Sequence, residues 1–103
     1  MSDRFECVVH HGGVFTEFNR LGYDGLEEIW GVDPDYWSYF EVMDGIKELG
    51  YPKVDSLWYY VAMDDNELVM LKDDTGTTRM KVIALINGNV HLYVMHPVEA
   101  EAE

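Results

Sequence analysis

The sequence predicts an α+β roll, a mixed sheet with a main helix packed on one face. Three observations carry this. Apolar residues alternate with polar ones near both ends of the chain, as in half-buried strands. A central segment, Asp33 to Pro52, repeats its apolar residues at helical spacing and carries its own start and stop signals. The segments flanking it read as strands, so the apolar face of the helix has a sheet to cover.

Arg4 to His11 reads as the first strand, with Phe5, Cys7 and Val9 on one face and Glu6, Val8 and His10 on the other. Gly12-Gly13 predicts a hairpin turn, with Val14 to Phe18 returning. Leu21 to Gly25 reads as loop. Leu26 to Val32 reads as a short strand or an extension of the second. In the main helix Asp33 is the expected cap, Pro34 suits the first helical position, and Asp35 sits where the helix dipole favours an anion. Tyr39, Val42, Met43, Ile46 and Leu49 share one face, Gly50 fits the left-handed C-terminal position, and Pro52 prevents continuation.

Ser56 to Met63, rich in aromatic and β-branched residues, is the next strand. Asp64-Asp65-Asn66 predicts a turn and Glu67 to Leu71 a short strand. After a second turn over Lys72 to Gly76, Thr77 or Thr78 caps a shorter helix to about Leu85, with Met80, Ile83 and Ala84 inward. Asn87-Gly88-Asn89 ends it, and Val90 to His96 is the last strand, stopped by Pro97. The predicted order is β-β-(β)-α-β-β-α-β over residues 1–97, and residues 98–103 read as an acidic tail or the start of a linker.

At 103 residues the chain has the size of one domain, and a hydrophobic fraction of 48% with 14% aromatic is ample for a packed core. Seven Lys and Arg against 20 Asp and Glu give a net charge of −13. Nucleic acids and anionic membranes demand cationic surface, so direct binding to either is not expected; a basic partner, or solubility alone, fits this balance. The single cysteine forms no internal disulfide and suits a reducing compartment. The longest apolar run, Val82 to Ile86, is too short to span a bilayer, and the polar N-terminus has no signal-peptide pattern, which predicts an intracellular chain.

Catalytic patterns are missing: there is no Gly-x-Ser-x-Gly, no phosphate-binding glycine loop and no His-Glu-x-x-His. Cys7 alternates with Phe5 and Val9, which predicts a small buried apolar residue rather than a nucleophile. If Phe5, Cys7 and Val9 face the core, so does His11; if Val90, Leu92 and Val94 do, His96 follows, and parallel neighbouring strands bring both to one end of the sheet. A zinc site would draw on Cys7 and the four histidines His10, His11, His91 and His96, and two meeting histidines fall short of a ligand set, so no metal and no cofactor is expected; a His-based metal-binding domain is the remote alternative. The acidic turn at Asp64 lacks the oxygen ligand and glycine of a calcium loop.

The remaining constellation is five carboxylates, on Asp64, Asp65, Glu67, Asp73 and Asp74, in two turns around one short strand. A single exposed ion pair is worth about 0–1 kcal/mol, but several aligned pairs give orientation, fast association and strong salt dependence. The competing explanation is that Asp and Asn simply make good turns. Strand Leu57 to Met63 raises a second question, because Leu57, Tyr59 and Val61 cannot be buried together with Trp58 and Tyr60 unless both sheet faces are covered. Either Trp30 and Trp37 shield Trp58 and Tyr60, or these form an exposed aromatic interface for self-association.

The pattern of strand, Asp64-Asp65-Asn66-Glu67, short strand, Asp73-Asp74 and helix resembles the acidic motif of Phox-and-Bem-type interaction domains. Those are ubiquitin-like β-grasp modules that pair an acidic face on one domain with a basic face on another. The segments His10-His11-Gly12-Gly13-Val14-Phe15, Asp33 to Glu41, Lys47 to Tyr51, Leu57-Trp58-Tyr59 and Gly88 to Val94 are similar to the plant version of the domain. That version stands at the N-terminus of Mutator-like transposases and transposon-derived proteins. The resemblance spans the chain to His96. It implies a β-grasp roll with the first and last strands as central parallel neighbours, a non-catalytic protein-protein interaction role, and the nucleus. In the general family a lysine in the first strand anchors the basic face. Cys7-Val8-Val9 carries none, which favours an acidic-face-only module over head-to-tail assembly. The transposase catalytic core is a separate, larger fold, so no nuclease or strand-transfer activity is expected.

Overall fold

A computed structural model describes residues 4–17, 22–61 and 67–96. Five strands form one mixed sheet in the order β2-β1-β5-β3-β4, where β1 is Phe5–Glu17, β2 Gly22–Val32, β3 Ser56–Val61, β4 Glu67–Leu71 and β5 Asn89–Met95. Helix α1 is Tyr39–Glu48 and helix α2 is Asp74–Asn87. The first and last strands are parallel neighbours at the centre, with Cys7 opposite Val90 and Val9 opposite Leu92; the other pairings are antiparallel. This is the α+β roll expected from the sequence.

Alternation along the strands decides what the helices cover. Phe5, Cys7 and Val9, Leu57, Tyr59 and Val61, Leu71, and Val90, Leu92 and Val94 are all buried in one cluster with Val42 and Ile46 of α1 and Met80, Ile83 and Ala84 of α2. Tyr39, Met43 and Leu49 complete the inner face of α1 at the predicted spacing. Each fully buried aliphatic side chain contributes about 1.5–3 kcal/mol, so this face holds most of the stabilisation. Cys7 sits inside it with no exposure, and burial pushes its thiol well above the ordinary range, leaving it inert.

The structure departs from the sequence reading in three places. Gly12-Gly13 is not a hairpin turn. The strand runs through it to Glu17, and the register with β2 shifts between His11 and Val14, as in a β-bulge. Gly12 has φ +73°, and a Cβ on Gly13 would collide with the Asp24 carbonyl, so both positions demand glycine for the same reasons a turn would. The second strand accordingly begins at Gly22, inside the predicted loop, and among the described residues no third strand intervenes before the helix.

The main helix starts late. Asp33 caps only one 3-10 turn, Pro34–Tyr36, accepting from the Asp35 N–H at 3.0 Å. Trp37 and Ser38 are then extended, and the Ser38 hydroxyl caps α1 by accepting from the Glu41 N–H at 3.1 Å. The break turns Trp37 inward, where its indole N–H donates to the Thr77 carbonyl at 2.8 Å and its ring meets Phe5 edge-on. Gly50 follows the C-cap with φ +107°, as expected.

Helix α2 is longer than α1 rather than shorter. Its cap is Asp73, not Thr77 or Thr78; the Asp73 carboxylate accepts from the N–H groups of Thr75 and Gly76. Gly76 and Thr77 are buried within its first turns, where a Cβ on Gly76 would press on Leu71. The Asp64-Asp65-Asn66 turn, Pro97 and the 98–103 tail lie outside the described residues.

Candidate interaction surfaces

The acidic constellation falls at one edge of the sheet. β4 pairs with β3 alone among the described residues, so its other side is open. Glu67 opens β4 opposite Val61 and is exposed; Asp73 and Asp74 follow its far end and are exposed too. The six residue steps from Glu67 to Asp73 span at most roughly 20 Å, within the reach of one partner surface. Asp73 and Asp74 also hold structure. Asp73 caps α2, and Asp74 Oδ1 accepts from the Tyr39 N–H at 2.8 Å, tying α2 to the start of α1. A carboxylate has further lone pairs, so neither bond removes the charge from reach of a cation. Asp64 and Asp65 lie outside the described residues.

Both helices pack on one face of the sheet, and the opposite face carries rings. Trp58 and Tyr60 point there, half-buried, while Leu57, Tyr59 and Val61 alternate into the core. Trp30 and Trp37 do not shield them. Trp30 pairs with Cys7 on the helix side and covers Gly45 of α1, and Trp37 lies against Phe5 and Thr77. The Trp58 indole N–H donates to the Ser56 hydroxyl at 2.8 Å.

Beside Trp58 lies a group that the sequence reading did not single out. Tyr93, opposite Trp58 on one side and His10 on the other, stacks on His10 at 4.4 Å with 7° between the planes. His10 Nε2 and His91 Nδ1 share a hydrogen bond at 3.0 Å, and Glu27 lies 3.7 Å from His10 Nδ1. Desolvation first, then the His91 charge, lowers the pKa of His10 against the opposing pull of Glu27; desolvation lowers His91 too. Burial pushes Tyr93 up to about 12. The bulge adds Phe15 to this face by inverting the alternation of β1, so that Phe15 meets Tyr23 edge-on at 5.3 Å. Tyr23 accepts from the Gly13 N–H and donates to the Val94 carbonyl. The signal was present in the alternation of Glu6, Val8 and His10 with the core set, combined with a parallel last strand carrying His91 and Tyr93.

His11 and His96 do meet at one end of the sheet. Hydrogen bonding explains the meeting: His11 Nδ1 bonds the Tyr51 hydroxyl at 2.8 Å, and His96 Nε2 accepts the Gly12 N–H at 2.7 Å beneath the Tyr51 ring. One ring nitrogen of each histidine is engaged in this way. Among the described residues no group of three or more His, Cys, Asp or Glu side chains is arranged to hold a metal ion. No helix is long and apolar enough to cross a membrane among those residues.

The sheet order, with parallel central strands and two helices on one face, is that of the ubiquitin-like roll, and the family model for the PB1-like domain matches residues 1–96. The chain belongs to the PB1-like domain family. PB1-like domains are protein-protein interaction modules, which directs attention to the surfaces of this one rather than to a catalytic cleft. No curated protein and no solved structure matches the chain significantly.

Proposed function

We propose that this PB1-like domain binds a protein partner through the acidic edge formed by β4 and the start of α2. Asp64, Asp65, Glu67, Asp73 and Asp74 engage lysines and arginines on that partner. The observation that supports the reading is the open strand β4 flanked at both ends by exposed carboxylates in a chain of net charge −13. A network of such pairs gives orientation and a fast, salt-sensitive encounter. The absence of a lysine in Cys7-Val8-Val9 favours a different protein over a second copy as partner. The resemblance to plant transposase N-termini extends the proposal to the parent protein: a transposase-related chain acting in the nucleus.

The test is calorimetric titration with a PB1 domain that carries a basic face and lacks an acidic one. Binding is expected to weaken with salt and to fall at least about tenfold for the Asp64→Lys, Glu67→Lys pair. Asp73 is changed to Asn, which keeps a capping oxygen, so that loss of the helix cap is not read as loss of binding. Unchanged affinity in these variants overturns the proposal.

A second reading is supported by the position of Trp58 and Tyr60 on the helix-free face: self-association through the aromatic sheet surface. Light scattering after size exclusion separates the two. An oligomer that survives high salt and is lost in Trp58→Ala supports the aromatic interface, and a monomer at every concentration excludes it.

A further inference from the structure

The groove between edge strand β2 and helix α1, a cavity of about 510 Å³, has a floor of aromatic rings. Trp30, Tyr36 and Trp37 line it, and the first and last are held before any ligand arrives. Trp30 lies so close over Gly45 that a Cβ there would stand 2.8 Å from its ring. Trp37 is fixed by its N–H bond to the Thr77 carbonyl and by its edge-on contact with Phe5. Tyr36, on the 3-10 turn, is 72% exposed and stands at the mouth. Around these rings lie the exposed carboxylates of Glu28, Glu41 and Glu48, and no lysine or arginine among the described residues lines the cavity. Asp33 also lines it, with one oxygen spent on capping the turn.

We infer that this groove takes an arginine side chain from an extended segment of a partner protein. The chemistry is complementary on each count. A guanidinium is planar, weakly hydrated and always charged, so it stacks on Trp and Tyr faces while its N–H groups reach carboxylates. Fixed rings lower the ordering cost of binding. β2 pairs with β1 alone among the described residues, so an extended chain has access along the open edge. A guanidinium already approaches this place: Arg4 Nη1 donates to the carbonyl of Gly31, a lining residue, at 3.4 Å. The groove is independent of the acidic edge proposed above, because β2 and β4 are opposite edges of the sheet.

The experiment is a titration of the ¹⁵N-labelled chain with the peptide acetyl-Ser-Ala-Arg-Ala-Ser-amide and with its citrulline analogue, which keeps the shape and removes the charge. Saturable shifts are expected at the indole N–H groups of Trp30 and Trp37 and at the Gly31 and Gly45 amides. Citrulline should bind at least about fivefold more weakly, and the Glu28→Gln, Glu48→Gln pair and Tyr36→Ala should each lose a similar factor. All three positions are exposed, so the variants keep the fold, and their amide spectra verify it. Glu67→Gln should leave the affinity unchanged. Equal affinity for citrulline, shifts confined to β4 and α2, or no saturable shift at the two indoles each overturn the inference.

Discussion

The two faces of the sheet solve the problem of covering a β-surface by different means. The helix side is mainly aliphatic: Cys7, Val9, Leu57, Val61, Val90, Leu92 and Val94 meet Val42, Ile46, Met80 and Ile83 from above, with Phe5 and Tyr59 as its buried rings. The other side has no helix and covers itself with rings laid across neighbouring strands. Tyr93 stacks on His10, His10 on His91, and Phe15 and Tyr23 close one end, so that Tyr93 is only 5% exposed without any helix over it. A face packed under helices gains from area removed from water and keeps any ionisable group it buries, such as Cys7, in its neutral form. A ring-covered face keeps titratable atoms at its surface. Stability therefore belongs chiefly to the first face, while the second holds ionisable rings close to solvent.

The largest effect should come from Leu92, fully buried on the covered face. Leu92→Ala is expected to cost about 2–5 kcal/mol in urea unfolding, while His91→Gln, its neighbour in β5 on the open face, should cost less than about 1 kcal/mol. Equal costs would erase the distinction between the faces. Next comes the bulge that assigns residues to faces. Gly13→Ala drives a Cβ into the Asp24 backbone and should cost about 1–3 kcal/mol, with loss of the Phe15–Tyr23 ring-current shifts in the proton spectrum. Retained shifts at wild-type stability would mean that the bulge does not set the alternation. Of similar or smaller size, Asp73→Ala should remove about 1 kcal/mol through the α2 cap, and Asp73→Asn should restore most of it.

The smallest effect sharpens the comparison most directly. His10, His91 and His96 have folded pKa values below the unfolded value near 6.5, mainly through desolvation. The unfolded chain thus binds more protons in that range, so these groups leave stability intact above about pH 6.5 and erode it as pH falls from there through the lower folded values. For His96 desolvation acts first and the His11 charge second; in addition its Nε2 accepts the Gly12 N–H, and a protonated ring would aim a donor at a donor. Thermal unfolding between pH 7.5 and 5.5 should show the decline, and the His10→Gln, His91→Gln, His96→Gln variant should flatten it. An unchanged slope in that variant would assign the decline to other groups.

Features with a fixed period were readable in the sequence. The inner face of α1 and the odd-numbered core residues of β1 follow from spacing alone. Features decided by local competition were not. Gly12-Gly13 serves a turn and a bulge equally, because both need a positive φ or close backbone approach; only pairing with Asp24 and Leu26 separates them. Asp33 and Ser38 compete to cap one helix, and the Trp37 bond to Thr77 decides for Ser38. Thr75-Gly76-Thr77-Thr78 is a weak helical sequence that becomes helix because Asp73 caps it and Gly76 fits against Leu71. The groove beside Trp30 is built within one stretch, Glu28 to Leu49, but it joins a strand, a 3-10 turn and a helix, so no single period reveals it.

The placement of β5 has a consequence for how the domain comes into being. The last strand of the roll stands in the middle of the sheet, between the first strand and the third. Until it arrives, β1–β2 and β3–β4 are two antiparallel pairs with no ladder between them among the described residues, each exposing an apolar face and an unpaired inner edge. During synthesis the ribosome must therefore release Asn89–Met95 before either half can close on the other, and the domain forms as one late event dominated by contacts distant in sequence. A stalled or truncated chain that ends at Gly88 would offer both inner edges to any neighbouring strand, so intact translation through β5 separates a soluble module from an aggregating one.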